Sequence, residues 1–173
     1  MRLTRFRGQN LADHIRNGYE VTDHGDVAIV RPEPGSNGGN PKHLAEMLTT
    51  SANIISAVKA MLNDGELPVI LGGDHSIAIA TFSAIASHYK QQGSEIGLIW
   101  FDAHADINTP ESSPSGNIHG MPLSHLLGLG DPDLASLGGF TGKVRPERVA
   151  LVGIRDVDAG EREMIKRTGV RTW

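Results

Sequence analysis

The stretch DAHADINTPESSPSGNIHGMP, residues 102–122, follows directly on the apolar run from Ile96 to Phe101 and carries Asp102, His104 and Asp106 at every second position. If the chain stays extended past Phe101, that period of two places the three side chains on one face and turns Ala103 and Ala105 away. Two carboxylates and an imidazole brought to one point are poorly solvated and repel one another unless a cation sits among them. His75, in LGGDHS at the end of another apolar run, can reach the same place. This donor set is hard oxygen plus imidazole with no sulfur, which suits manganese and, less distinctively, iron, cobalt or zinc. One carboxylate can bridge two ions, and a metal pair is a standard way to make a nucleophile at neutral pH. The chemistry expected is that of a dinuclear hydrolytic centre. A solitary D-x-H is as well explained by a turn; its recurrence beside the D-H of LGGDHS is what favours a metal.

Other residues near these clusters have two readings each. His119, as a histidine, suits a general acid or base, or is a solvated loop residue. Asn108, Ser115 and Asn117 offer uncharged donors and acceptors that would hold a carboxylate or shape a turn. Asp158 and Glu161 are spaced as a capping box at a helix start, or as ligand contacts. LGGDHS could cradle a phosphate at a helix N-terminus, but Asp74 would repel the anion. Asp74 is better suited to capping the following helix or orienting His75. His14, His24, His43, His88 and His125 belong to no such convergence and are read as surface or loop residues.

The elements that must hold these groups alternate between strand and helix. Leu67 to Leu71 is a continuous apolar run with the pattern of a strand buried on both faces, and Ile96 to Phe101 and Val149 to Ile154 read as further buried strands. Val27 to Val30 is a short apolar run, and Val170 to Trp173 begins one more strand. Between them, apolar residues recur at three- and four-residue spacing after Asn40 and Pro41, taken as N-cap and first helical position, up to Asn63 to Gly65. Further helices are expected over Ile77 to Lys90 and Ala159 to Lys166. Such alternation predicts an α/β protein, a mainly parallel sheet covered by helices on both faces, with function at the carboxyl ends of the strands. LGGDHS, DAHAD and GIRDVDAGE would then share one edge of the sheet.

At 173 residues with no repeat or linker, the chain reads as a single domain. A net charge of -4 without a basic stripe argues against a nucleic-acid partner. No apolar run is long enough to span a membrane. The basic start MRLTRFRGQNLADH has no apolar core segment, so no secretory signal is expected, and Asp13 weighs against a transit peptide. The absence of cysteine excludes disulfides and thiolate metal sites.

Taken together and in order, LGGDHSIAIA, DAHADINTP, SGNIHGMP and GIRDVDAGE resemble arginase, of the ureohydrolase family. The resemblance implies a three-layer α/β/α fold and a cytoplasmic enzyme of arginine metabolism, homo-oligomeric at full length. Its two manganese ions would activate hydroxide against the guanidinium carbon of L-arginine, giving L-ornithine and urea. On matching positions, His75, Asp102 and Asp106 would hold one manganese, and His104 with the bridging Asp102 the other. His119 would shuttle protons. Asn108, Ser115 and Asn117 would bind the substrate α-carboxylate, and Asp158 and Glu161 its α-ammonium, with His104 also at the substrate.

The family also carries a later S-x-D-x-D-x-x-D-P motif whose aspartates complete the metal shell, and this sequence has none. Residues 1–173 are therefore expected to be one incomplete catalytic domain, lacking the first strand and the C-terminal part. The alternatives are another ureohydrolase (agmatinase, guanidinobutyrase or formiminoglutamase) or a catalytically inactive remnant.

Overall fold

A computed structural model of the chain describes residues 20–36 and 38–173. His14 and the basic N-terminal stretch lie outside the described residues. None of the described helices is long and apolar enough to cross a membrane.

Helix α1 (Leu44–Asn63) is the longest element. It begins later than expected: residues 39–43 form a turn, and His43, in the left-handed region at φ 59°, is the N-cap. Asn40 does not cap the helix, because its side-chain amide donates to the Pro110 carbonyl at 2.9 Å. The Lys42 N–H donates to Gly116 at 2.9 Å, so the turn is docked on the loop of residues 110–116. One stripe of α1, with Ile54, Val58 and Leu62, packs against Ala80 and Ala84 of helix α2 (Ile77–Gln91). The alanines let the two helix axes approach closely.

Strands β1 (Leu98–Phe101), β2 (Val149–Val152) and β3 (Arg171–Thr172) form a parallel sheet in the order β1-β2-β3, with Leu98 opposite Val149 and Ala150 opposite Arg171. Leu98, Trp100, Val149 and Leu151 point into the core, where they meet Ala78 of α2 and Met164 of helix α5 (Ala159–Thr168). Between β1 and β2 lie two short helices, α3 (Pro122–Leu126) and α4 (Pro132–Ala135), and α3 adds Leu123 and Leu126 to the same core.

The parallel α/β arrangement expected from the alternation is what forms, with helix cover on one face of the sheet among the described residues. On the other face Ile99 is 76% and Phe101 82% exposed. Continuous apolar runs therefore do not mean burial on both sides here. The run at Leu67 to Leu71 makes no strand: Ile70 packs on the α1–α2 cluster while Leu67, Val69 and Leu71 face outward. Val27 to Val30 likewise joins no ladder. Extended chain without a hydrogen-bonded neighbour remains a segment and not a strand.

His125 corrects the surface reading given to it. It is 1% exposed inside α3, with Nδ1 2.7 Å from the Met121 carbonyl and Nε2 accepting the Asp131 N–H at 3.1 Å. Backbone groups thus replace water at both ring nitrogens, and Nδ1 must be the protonated one. Burial pushes the pKa of His125 below 6.5. A lowered folded-state pKa means that this stability is present above pH 6.5 and lost as pH falls through the folded value. A His125→Gln variant should show a flatter decline of Tm between pH 7.5 and 5 than the parent. His125→Ala should cost roughly 1–3 kcal/mol, because the Asp131 N–H loses its acceptor. Identical pH profiles would remove the acceptor role of His125.

The bare sheet face makes a second prediction. Apolar side chains this exposed on one strand should bind a fluorescent apolar dye and promote self-association. Ile99→Lys combined with Phe101→Lys should reduce both at unchanged Tm, read by light scattering and dye fluorescence.

Candidate metal centre

Strand β1 delivers Asp102 to the sheet edge, and there the chain turns. The Asp102 carboxylate accepts the His104 N–H at 3.1 Å, while the Ala103 carbonyl accepts the N–H groups of Arg155 and Asp156 at 2.9 and 3.0 Å. The loop leaving β2 is thereby fastened to the loop leaving β1. Asp106 sits in the left-handed region at φ 48°, unusual for a residue other than glycine. Its carbonyl accepts the Leu123 N–H at 2.9 Å. The extended period-two geometry expected for Asp102, His104 and Asp106 is therefore replaced by a bend.

The bend brings Asp102 and Asp106 together but turns His104 aside. His75, from the loop before α2, places Nδ1 2.9 Å from Asp102 Oδ2 and 2.7 Å from Asp106 Oδ2. Its ring stacks on Trp100 at 4.2 Å, so a buried aromatic orients the imidazole. Ligand atoms of these three residues lie within 4.8 Å of one another, the size of a cation site. His104 has a half-exposed side chain between two acids, Nδ1 3.6 Å from Asp102 and Nε2 3.4 Å from Asp156. The sequence reading passed over Asp156, although an acid immediately beyond a strand end was the available signal. The Asp74 carboxylate makes no hydrogen bond to the His75 ring; it accepts from the backbone and hydroxyl of Ser76 and shapes the entry to α2.

One imidazole nitrogen facing two carboxylates asks for a positive charge. The hydrogen bond to Asp106 raises the His75 pKa, against the lowering effect of burial, and the charges of Asp106 and Asp102 add to the rise. At Asp102 burial acts upward but is outweighed by the N–H of His104, the His75 charge and the N–H of Ala103, so its pKa falls. A proton on His75 and a metal cation are thus competitors for one position. The donor set of one imidazole and two carboxylates fits a hard divalent ion.

A second cluster surrounds the N-terminus of α5. Asp158 and Glu161 form a complete capping box: Glu161 N–H donates to Asp158 Oδ1 at 2.9 Å, and Asp158 N–H donates to Glu161 Oε2 at 3.1 Å. The remaining oxygen, Asp158 Oδ2, accepts the Asn108 amide at 2.8 Å. Glu161 is buried, which raises its pKa, with the Asp158 and Asp106 charges acting the same way and their N–H groups opposing. The capping reading of this D-x-x-E is what forms, and the second Asp158 oxygen reaches Asn108.

Ser115, exposed, accepts the Asn117 N–H at 3.2 Å and shapes its own turn. His119 is exposed in the turn Ile118–Gly120. It lines, with Asn117, Asp74 and Ser76, a cavity of about 410 Å³ whose other walls come chiefly from α1 and from the segment of residues 27–32. The structure thus gathers His75 with Asp102 and Asp106, and Asn108 with Asp158 and Glu161. Ser115, Asn117 and His119 sit on a separate loop.

The sequence matches the Arginase family over residues 2–173. This chain belongs to the arginase family. Among its relatives it is 41% identical to an arginase of Bacillus caldovelox over 157 residues, 90% of this chain and 51% of that one. It is 44% identical to an arginase of Bacillus subtilis over 156 residues, again 90% and 51%. The solved Bacillus caldovelox arginase superposes with a TM-score of 0.86 at 40% identity, covering 94% of this chain and 54% of that one. A formimidoylglutamase of Bacillus subtilis superposes at 0.56 with 26% identity, over 76% and 36%. The chain spans about half the length of the curated relatives it matches.

In the metal-free arginase-family chain, the His75 imidazole should titrate above 6.5. Its raised pKa contributes stability below pH 6.5 that disappears as pH rises through the folded value. Adding zinc as a diamagnetic probe should release that proton and abolish the titration, followed by nitrogen-15 chemical shifts of the imidazole. Persistence of the titration at saturating zinc would exclude His75 as a ligand.

Proposed function

We propose that this chain contributes to a manganese-dependent hydrolase that converts L-arginine to L-ornithine and urea. The observation that carries it is the meeting of His75, Asp102 and Asp106 at one edge of the sheet, in a chain about two-fifths identical to arginases. Manganese held by His75, Asp102 and Asp106, with His104 and Asp102 toward a second ion, would supply the Lewis acidity that makes water a nucleophile at neutral pH. The protein's own groups do the rest. Asn108, Ser115 and Asn117 present neutral donors to the substrate α-carboxylate, and Asp158 and Glu161 present negative charge to its α-ammonium. His119, on its exposed turn, carries protons to and from the guanidinium end. An agmatine, guanidinobutyrate or formiminoglutamate enzyme would not need both halves of that α-amino-acid pocket.

Affinity for the ion follows the number and charge of ligands. The 173-residue chain, with one three-residue group among its described residues, should bind a single manganese per chain weakly, as read by electron paramagnetic resonance; tight binding of two would show a fuller shell. In the full-length protein loaded with manganese, L-arginine should yield urea and agmatine far less. Asp158→Ala should lower kcat/KM for arginine by a charge-assisted contact of about 1.5–3 kcal/mol, on the order of tenfold to a hundredfold. The lost cap should cost about 1 kcal/mol of stability as well. A variant that melts early but hydrolyses arginine normally would reduce Asp158 to a helix cap and undercut the preference for arginine.

A further inference from the structure

Asn108 is 4% exposed, and both ends of its amide are engaged. Nδ2 donates to Asp158 Oδ2 at 2.8 Å, and Oδ1 accepts the Ser112 hydroxyl at 2.8 Å. The Ser112 oxygen in turn accepts the Thr109 N–H at 2.9 Å. After accepting that N–H the hydroxyl keeps a second lone pair and its one hydrogen, and the hydrogen is directed to Asn108 Oδ1. The Thr109 carbonyl at 3.5 Å is too distant to compete with Asn108. An asparagine amide is nearly symmetric in shape but opposite in polarity at its two ends, so its orientation is a matter of which partners it meets. Here the acceptor-only carboxylate of Asp158 takes the donor end of the amide, and the Ser112 hydroxyl hydrogen holds its oxygen end.

Gly160 makes this approach possible. A Cβ there would lie 2.5 Å from Asn108 Oδ1, 3.0 Å from the Ser112 carbonyl and 3.1 Å from Ser112 Cβ. Any larger residue at the second position of α5 would push the Ser112–Asn108 pair off the helix end.

We propose that Ser112 is a specificity-determining positioning residue, whose hydroxyl locks the Asn108 amide with its donor end toward Asp158 and the substrate, and that Gly160 leaves the room this requires. The proposal rests on the arginine-hydrolase reading and adds to it the device that makes the carboxylate side a donor. One hydrogen of Asn108 Nδ2 serves Asp158 and the second is directed to the substrate carboxylate. The row Ser112, Asn108, Asp158 thus has a fixed polarity, so the two halves of the pocket are coupled and not independent.

The test is Ser112→Ala in the manganese-loaded full-length protein, with Ser112→Thr as the variant that keeps the hydroxyl. Losing one neutral hydrogen bond should raise KM for L-arginine about fivefold, with kcat within about twofold. The KM for agmatine, which has no carboxylate, should move less, and Ser112→Thr should restore the arginine value. Gly160→Ala should reproduce the same split. Independently of turnover, the side-chain amide signals of Asn108 in a nitrogen-15 spectrum should shift and broaden in Ser112→Ala and not in Ser112→Thr. An equal loss for arginine and agmatine, or unchanged KM with unchanged Asn108 signals, overturns the proposal. If the parent enzyme itself hydrolyses no arginine, the functional reading fails, while the amide spectrum still decides whether Ser112 holds Asn108.

Discussion

Two carboxylates facing a single imidazole nitrogen is the constraint around which this part of the molecule is organised. Asp102 and Asp106 cannot approach that closely as bare anions, so the position between them and His75 must be filled by positive charge. Much of the surrounding structure serves to hold that unfavourable convergence. Trp100 fixes the ring of His75 by stacking, the loop after β2 ties down Ala103, and the start of α3 takes the Asp106 carbonyl in its left-handed turn. Arrangements that would be strained alone persist when several neighbours determine them together.

The parallel sheet explains why these groups meet. Each parallel strand points the same way, so residues far apart in sequence leave the sheet at one edge. Asp102 leaves β1 and Asp156 follows β2, with His104 between them, while His75 arrives from the turn before α2. The outer face of the same sheet shows the opposite economy: Ile99 and Phe101 are apolar and bare. Apolar character on that face marks where packing partners belong, a separate matter from the chemistry at the edge.

The α5 terminus joins the helix cap and the Asn108 contact in one set of atoms. A capping box uses one oxygen of Asp158 and one of Glu161 to satisfy backbone donors. The other Asp158 oxygen is then held at the fixed distance that Asn108 requires. One carboxylate thus serves the helix cap with one oxygen and the Asn108 amide with the other. The helix end supplies the rigidity that a binding group needs.

The amino-acid sequence by itself determined the donor types, the parallel α/β class, the two helices expected over residues 77–90 and 159–166 and found at Ile77–Gln91 and Ala159–Thr168, and the membership that four ordered motifs announced. Those rest on local periodicity and on chemistry intrinsic to each side chain. The grouping of His75 with Asp102 and Asp106 was legible in the motifs, whereas tertiary structure decided that a bend with a left-handed Asp106 replaces the extended geometry and leaves His104 between Asp102 and Asp156. It also decided that His125 is buried and that Leu67 to Leu71 is not a strand, because burial and pairing depend on what lies alongside. Ser112 was silent in the sequence for the same reason. A serine in a polar loop has no signature until its hydroxyl is placed between the Thr109 N–H and the Asn108 amide, and that placement is a property of the folded chain.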